Sequence, residues 1–180
     1  SGTTWVEESG FSAAPGQCCA LPGGKGGVAT WLFGMEKEGW LYQLASLPPV
    51  LPEGVYRLES DWTREQRLQA ALGWGLAGYR FERYKANGKP RPLLLLDADI
   101  ADDVCALCAA QYLVRDLVNT PTEHMGPAEL ADAVTGQADA FGAEVEVVVG
   151  EELLTRNFPA VHAVGRASSR APRLVELHWG

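Results

Sequence analysis

TREQRLQAALGWGLAGYRFERY, residues 63–84, admits two incompatible readings, and the choice between them decides the fold. Gly73, Gly75 and Gly78 have the G-x-G-x-x-G spacing, and Asp97 and Asp99 follow about twenty residues later, as in a dinucleotide-binding fingerprint. That fingerprint requires the first glycine to leave a strand and the third to sit in the first turn of a helix, whose free N–H groups face the pyrophosphate. Here the residues before Gly73 are already helical. Thr63-Arg64-Glu65-Gln66 has the capping-box form, and Leu68, Ala71, Leu72, Leu76 and Tyr79 recur at helical spacing, with Phe81 and Tyr84 extending the run. The three glycines are therefore expected in mid-helix, where N–H groups are bonded to carbonyls and cannot hold phosphate. Each costs about 1 kcal/mol against alanine. The offsetting benefit is room on one helix face for a close neighbour.

Outward from this helix, the chain alternates short strands and helices. Thr3 to Ser9 is a short helical pattern, QCCALP a strand, PGGKGG a turn and VATWLFGM a second strand, which together read as a hairpin. Trp40 to Ser46 suggests a short helix stopped by Pro48-Pro49, and GVYRLES a strand. Asn87-Gly88 and the prolines at 90 and 92 end the glycine-bearing helix. LLLL, residues 93–96, reads as a short buried strand. Ile100 to Val118 is a second long helix with Ile100, Val104, Leu107, Val114 and Val118 along one face. Pro121 disfavours helix at Thr120. A third helix opens at Gly126-Pro127 and stops at Gly142. AEVEVVVG is then a strand, EELLTRN a short helix, and AVHAVG and PRLVELHW two further strands.

With 180 residues, 47% hydrophobic and 21% charged, the composition is that of a globular protein with a core. The net charge of −8 and the lack of a basic run argue against nucleic acid as a partner. No segment is apolar enough over about 20 residues to span a bilayer, and the start lacks a signal-peptide layout. Ser1 in place of an initiator Met suggests a trimmed end. Cys18 and Cys19 are adjacent and suit no ordinary disulfide framework, so a reducing, cytoplasmic setting is expected.

Other motifs fall short of chemistry. PGGKGG lacks the Gly-Lys-Ser/Thr end of a phosphate loop and runs into a strand. Cys105-Ala-Leu-Cys108 lies in a helix body, away from the N-terminal dipole that lowers thiol pKa values, and no second ligand pair has zinc-site spacing. Both are expected to be small buried thiols. His124 is the one histidine expected to be exposed in a connector, whereas His162 and His178 fall in strands. Asp102 and Asp103, with Asp97 and Asp99 nearby, favour the first turn of the helix that follows. No catalytic constellation is complete.

Three segments in order resemble one family, the two-metal leucyl (cytosol) aminopeptidases. ALGWGLAGYRFERYK is similar to that family's late N-terminal-domain helix. YLVRDLVNTPTEHMGPAELA resembles its Arg-Asp-Leu-x-Asn-Thr-Pro connector and the helix beyond. FPAVHAVGRASSRAPRLVELHWG is similar to the first part of its catalytic domain. Thr122, Glu123 and His124 depart from the connector's usual pattern, at positions that are not metal ligands in the family. The resemblance implies an α/β fold: a small mixed-sheet N-terminal domain, macro-domain-related and shortened, over 1–99. A linker helix and connector over 100–125 and the first α/β elements of an incomplete catalytic domain over 126–180 would follow. It implies a peptidase that removes N-terminal residues with two divalent ions, zinc or manganese, and assembles as a hexamer. The family's metal motifs, Lys-Gly-x-Thr-Phe-Asp-Thr-Gly-Gly and Asn-Thr-Asp-Ala-Glu-Gly-Arg, do not occur here. No catalytic, metal-binding or cofactor residue is therefore assigned to any position, and the segment is expected to be architectural and inactive alone, with the remainder of the catalytic domain as its partner. A stand-alone non-catalytic α/β binding module, with a nucleotide as its candidate ligand, is the alternative.

Overall fold

The computed structural model describes residues 2–23, 30–86, 88 and 90–180. It is a mixed α/β structure with small sheets, divided into two compact units, Ser1–Tyr112 and Leu113–Gly180.

In the first unit, helix α1 (Gly2–Glu8) lies along strand β1 (Cys18–Leu21), with the Trp5 indole N–H donating to the Ala20 carbonyl at 2.9 Å. β1 pairs antiparallel with β2 (Thr30–Phe33), Cys18 opposite Phe33 and Leu21 opposite Thr30, as expected for the hairpin. Most of the turn between them, including Lys25, lies outside the described residues. The stretch from Trp40 forms a 3₁₀ turn (Trp40–Tyr42) in place of the expected helix. Gly39 enters it with φ 81°, and Pro48-Pro49 leave too few residues to repay helix nucleation.

Strand β3 (Gly54–Arg57), helix α2 (Arg64–Ala77) and strand β4 (Pro92–Leu95) form a parallel pair with a helical crossover, Gly54 opposite Pro92 and Arg57 opposite Leu95. Parallel strands need a connection of about a dozen residues or more, and α2 supplies it. Its N-terminus is the capping box read from sequence: Gln66 N–H bonds the Thr63 hydroxyl and Thr63 N–H bonds the Gln66 side chain. Its end comes earlier than the apolar run suggests. Gly78 caps α2, and Phe81 and Tyr84 lie beyond it in irregular structure. β4 is not the buried strand expected, since Leu93 and Leu95 are exposed. A strand with one covered face alternates, whatever the composition of its run.

Two clusters form the core of this unit. Leu44, Leu47, Leu51, Ala70 and Trp74 make one, with Trp31, Phe33 and Trp62 packed against it. Ala71, Ile100 and Val104 make the other. Ala70 and Trp74 thus turn toward the 3₁₀ turn and its sequel, while Ala71 faces helix α3 (Ala98–Asn119). That helix begins two residues earlier than expected, so Asp99 occupies the first turn and Asp102 and Asp103 the second. Only the first part of its apolar stripe is covered: Ile100 and Val104 are buried, whereas Leu107, Val114 and Val118 are exposed.

In the second unit, helix α4 (Pro127–Phe141) starts with Pro127 at its first position and ends at Gly142 in the left-handed region, φ 67°. Strand β5 (Glu144–Val149) pairs antiparallel with β6 (Arg173–His178), Glu144 opposite His178. Two short helices intervene, α5 (Glu152–Thr155) and α6 (Pro159–Gly165). α6 corrects the expected strand at AVHAVG: Pro159 stands at the first helical position, where its fixed φ and missing N–H cost nothing.

Candidate functional site

The glycine-rich helix comes first. Gly73 and Gly75 lie in the body of α2, where N–H groups belong to the helical ladder, and Gly78 is its cap, donating to the Trp74 and Gly75 carbonyls. Two residues along a helix turn through about 200°. Gly73 and Gly75 consequently open opposite sides, and the expectation of one spacious face is corrected. A Cβ at Gly73 would collide with the Leu41 carbonyl of the 3₁₀ turn, and one at Gly75 with the Cys108 sulfur of α3. The Gly75 carbonyl also accepts a hydrogen bond from the Tyr112 hydroxyl. The glycines let two neighbours, one on each side, approach the helix backbone.

The acids that complete the fingerprint spacing are engaged by this same helix. Arg67 bonds Asp97 and, at 2.9 Å, Asp99, and these carboxylates, Asp97 foremost, hold its guanidinium charged. Arg64 reaches Asp103 at 2.5 Å and the Asp99 carbonyl at 2.8 Å. Arg64 and Arg67 are three apart on α2, and Asp99 and Asp103 four apart on α3, so both pairs present one face. That spacing is present in the sequence itself.

The cysteines are all free thiols. Cys19 is buried near the Ser9 hydroxyl, 3.3 Å away, and Cys18 is half-buried, its thiol pushed up by burial first and by Cys19 second. Cys108 is half-buried against Gly75, but Cys105 is exposed, contrary to expectation, because it stands about 100° around the helix from the covered stripe of Ile100, Val104 and Cys108.

The connector between α3 and α4 is the best-organised loop of the second unit. Thr120 is buried, with its hydroxyl donating to the Asp116 carbonyl at 2.6 Å. Pro121 removes the next N–H, and the His124 N–H turns back to the Pro121 carbonyl at 2.8 Å. Arg170 closes the loop: one guanidinium nitrogen donates to the Thr122 carbonyl (2.7 Å) and the other to that of Glu123 (2.6 Å). Glu129 accepts from the Gly126 N–H at 2.8 Å and stands 4.0 Å from Arg170. Its carboxyl is held below the usual range, first by its own and Gly126's N–H groups and further by Arg170 and Arg173. A Cβ at Gly126 would run into the Arg170 guanidinium, so a side chain here would push Arg170 from its place on the loop. Arg170 carries no sequence signature, since its partners are backbone carbonyls far along the chain.

His124 is exposed, as expected of a connector residue. His162, on α6, lies 3.1 Å from the exposed Glu151 carboxylate, and His178 is exposed at the end of β6. The three histidines do not converge. Among the described residues, no three His, Cys, Asp or Glu side chains form a group able to hold a metal ion. No helix among them is long and apolar enough to cross a membrane.

Comparison with known proteins places this architecture. Residues 1–97 match the profile of the M17 aminopeptidase N-terminal domain, and residues 112–180 that of the cytosol aminopeptidase family catalytic domain. The probable cytosol aminopeptidase of Corynebacterium efficiens is 35% identical over 127 residues, 64% of this chain and 25% of its own length. That of Brucella melitensis is 31% identical over 135 residues, 67% of this chain and 28% of its own. The chain thus spans about a quarter of the length of these curated relatives. Among solved structures, the cytosol aminopeptidase of Coxiella burnetii superposes on 99% of this chain and 39% of its own, with a TM-score of 0.92 and 37% identity. The bottromycin maturation enzyme BotP, solved in complex with Mn, covers 97% of this chain and 42% of its own, with a TM-score of 0.81 and 26% identity.

Proposed function

The chain belongs to the M17 cytosol aminopeptidase family, and we propose that it forms the amino-terminal portion of a metal-dependent enzyme that removes N-terminal residues from peptides. The observation that carries this reading is the near-complete superposition on an aminopeptidase of which the chain spans 39%. Two divalent ions, zinc or manganese, would activate water and polarise the scissile carbonyl. The family's two metal motifs do not occur in these 180 residues, and the ligands are assigned to the remainder of the catalytic domain. Manganese in BotP supports the choice of metals.

Residues 1–99 then act as the N-terminal domain, 100–125 as linker helix and connector, and 126–180 as the opening of the catalytic domain. Their role is architectural: shaping access to the active site and supporting assembly, as a hexamer, in the cytoplasm. The exposed apolar residues of α3 (Leu107, Val114 and Val118) suit a helix that meets further protein.

The test is direct. The chain alone, given manganese or zinc and leucine p-nitroanilide, should show no turnover, and co-expression with the remainder of the catalytic domain should restore it. Metal-dependent turnover by these 180 residues alone would overturn the assignment of inactivity. Saturable micromolar binding of NADH or ADP-ribose, read by tryptophan fluorescence, would favour a nucleotide-binding module instead.

A further inference from the structure

A cavity of about 370 Å³ opens beside the glycine-rich helix, among the C-terminal half of α2, β4 and the middle of α3. Its size is that of a small-molecule site. Trp74 and Val104 are buried and, with Leu94, form an apolar wall. Arg80 and Arg91 also line it, and among the described lining residues none is acidic. In a chain of net charge −8, the described lining carries two guanidinium groups, and the carboxylate that pairs with Arg91, Glu82, stands outside it. Arg91 is anchored by Glu82 at 2.7 Å and Arg80 is likewise engaged within the fold, and a guanidinium with five N–H donors keeps capacity for a further anion after one such pairing. The Gly75 backbone is part of the lining, so the same glycine that lets Cys108 approach also leaves this wall without a side chain.

We propose that this cavity binds a small monoanion with an apolar body, its carboxylate at Arg80 and Arg91 and its hydrocarbon against Trp74, Leu94 and Val104. The site is independent of peptide hydrolysis and does not rest on the metal-dependent reading. Exposed Cys105 stands in the lining and reports occupancy, because a ligand seated there shields its thiol.

Octanoate, octanamide and octylamine, equal in chain length and differing in head group, are titrated calorimetrically into the chain, with Cys105 alkylation by iodoacetamide followed by mass spectrometry. Octanoate should bind at one saturable site and slow alkylation of Cys105, while octylamine should do neither. The double variant Arg80→Gln/Arg91→Gln should weaken octanoate about tenfold or more, the loss expected for charge-assisted hydrogen bonds, and bring it level with octanamide. Cys105→Phe, which narrows the cavity without touching either arginine, should also abolish binding; circular dichroism checks that each variant is folded. Equal binding of octanoate and octylamine, no saturable octanoate site, or unchanged Cys105 alkylation at octanoate saturation would each overturn the proposal.

Discussion

Arg170 and Thr122 lie forty-eight residues apart in sequence, yet the guanidinium of one donates at 2.7 Å to the backbone carbonyl of the other. A second bond, to Glu123, makes the contact a two-pronged clamp on the loop that follows Asn119-Thr120-Pro121. Lysine cannot reproduce it, because a single ammonium lacks the planar fork. Arg170→Ala should destabilise the second unit by about 1–2 kcal/mol, the range for losing charge-assisted bonds at a partly exposed site. Limited proteolysis should then cut within residues 121–126, and Arg170→Lys should recover less than half of the protection. Unchanged cleavage in Arg170→Ala would show that the loop is held by Thr120 and Pro121 alone.

The glycines of α2 and α4 should respond oppositely to alanine. At Gly73 the new methyl would meet the Leu41 carbonyl, which is backbone and cannot rotate away. Overpacking of this kind costs about 1–3 kcal/mol and exceeds the roughly 1 kcal/mol gained in helix propensity. Gly136, exposed on α4, has nothing within 4 Å, so Gly136→Ala should stabilise by about 0.5–1 kcal/mol. Gly75→Ala meets the Cys108 sulfur, and a second change, Cys108→Ala, should recover most of its loss. Urea denaturation of the four variants checks the order. A Gly73→Ala protein as stable as the parent would remove close packing as the reason for this glycine.

The fate of α2 shows where the sequence was legible. Its start was plain because a capping box is local chemistry, with Thr63 and Gln66 satisfying each other across one turn. Its end is not legible, because Tyr79, Phe81 and Tyr84 continue the apolar pattern although Gly78 has already closed the helix. α6 reads as a strand because the six residues of AVHAVG cannot fix a period, and the decisive signal is the proline just before them. The family was legible in the Asn-Thr-Pro connector, whereas the residue that clamps it was not. Side chains that bind backbone leave no pattern of partner residue types, and Arg170 was invisible for that reason. Arg67 is the contrary case: its partners Asp97 and Asp99 are carboxylates of ordinary ion-pair type, present in the sequence beside the start of α3.

Exposed apolar side chains on β6 and just beyond it should drive association. Leu177 and Trp179 are 43% and 74% exposed, and β6 pairs with β5 on one side only among the described residues. An unpaired edge carrying apolar groups invites pairing with another chain. Light scattering of the isolated chain should rise with concentration, and Leu177→Lys with Trp179→Ser should suppress the rise. Scattering that is independent of both substitutions would place the sticky surface elsewhere, with the exposed stripe of α3 as the next region to change.

The second unit should lose stability in acid through two carboxylates. Glu129 is held below its ordinary range by its own N–H and that of Gly126, with Arg170 and Arg173 adding to the effect. Glu146, on β5, is lowered by its hydrogen bond and charge interaction with Arg156. A folded-state pKa below the unfolded value contributes stability that is complete above the unfolded value, about 4.3 for glutamate, and is lost as pH falls through the folded one. The melting temperature of the unit should therefore be level above about pH 5.5 and fall below about pH 4.3. Glu129→Gln and Glu146→Gln should each lower the plateau slightly and flatten the acid limb, because the neutral amide has no proton to gain. Thermal melts across this range, followed by circular dichroism, decide the matter, and an acid limb equally steep in both variants would assign the acid sensitivity to other carboxylates.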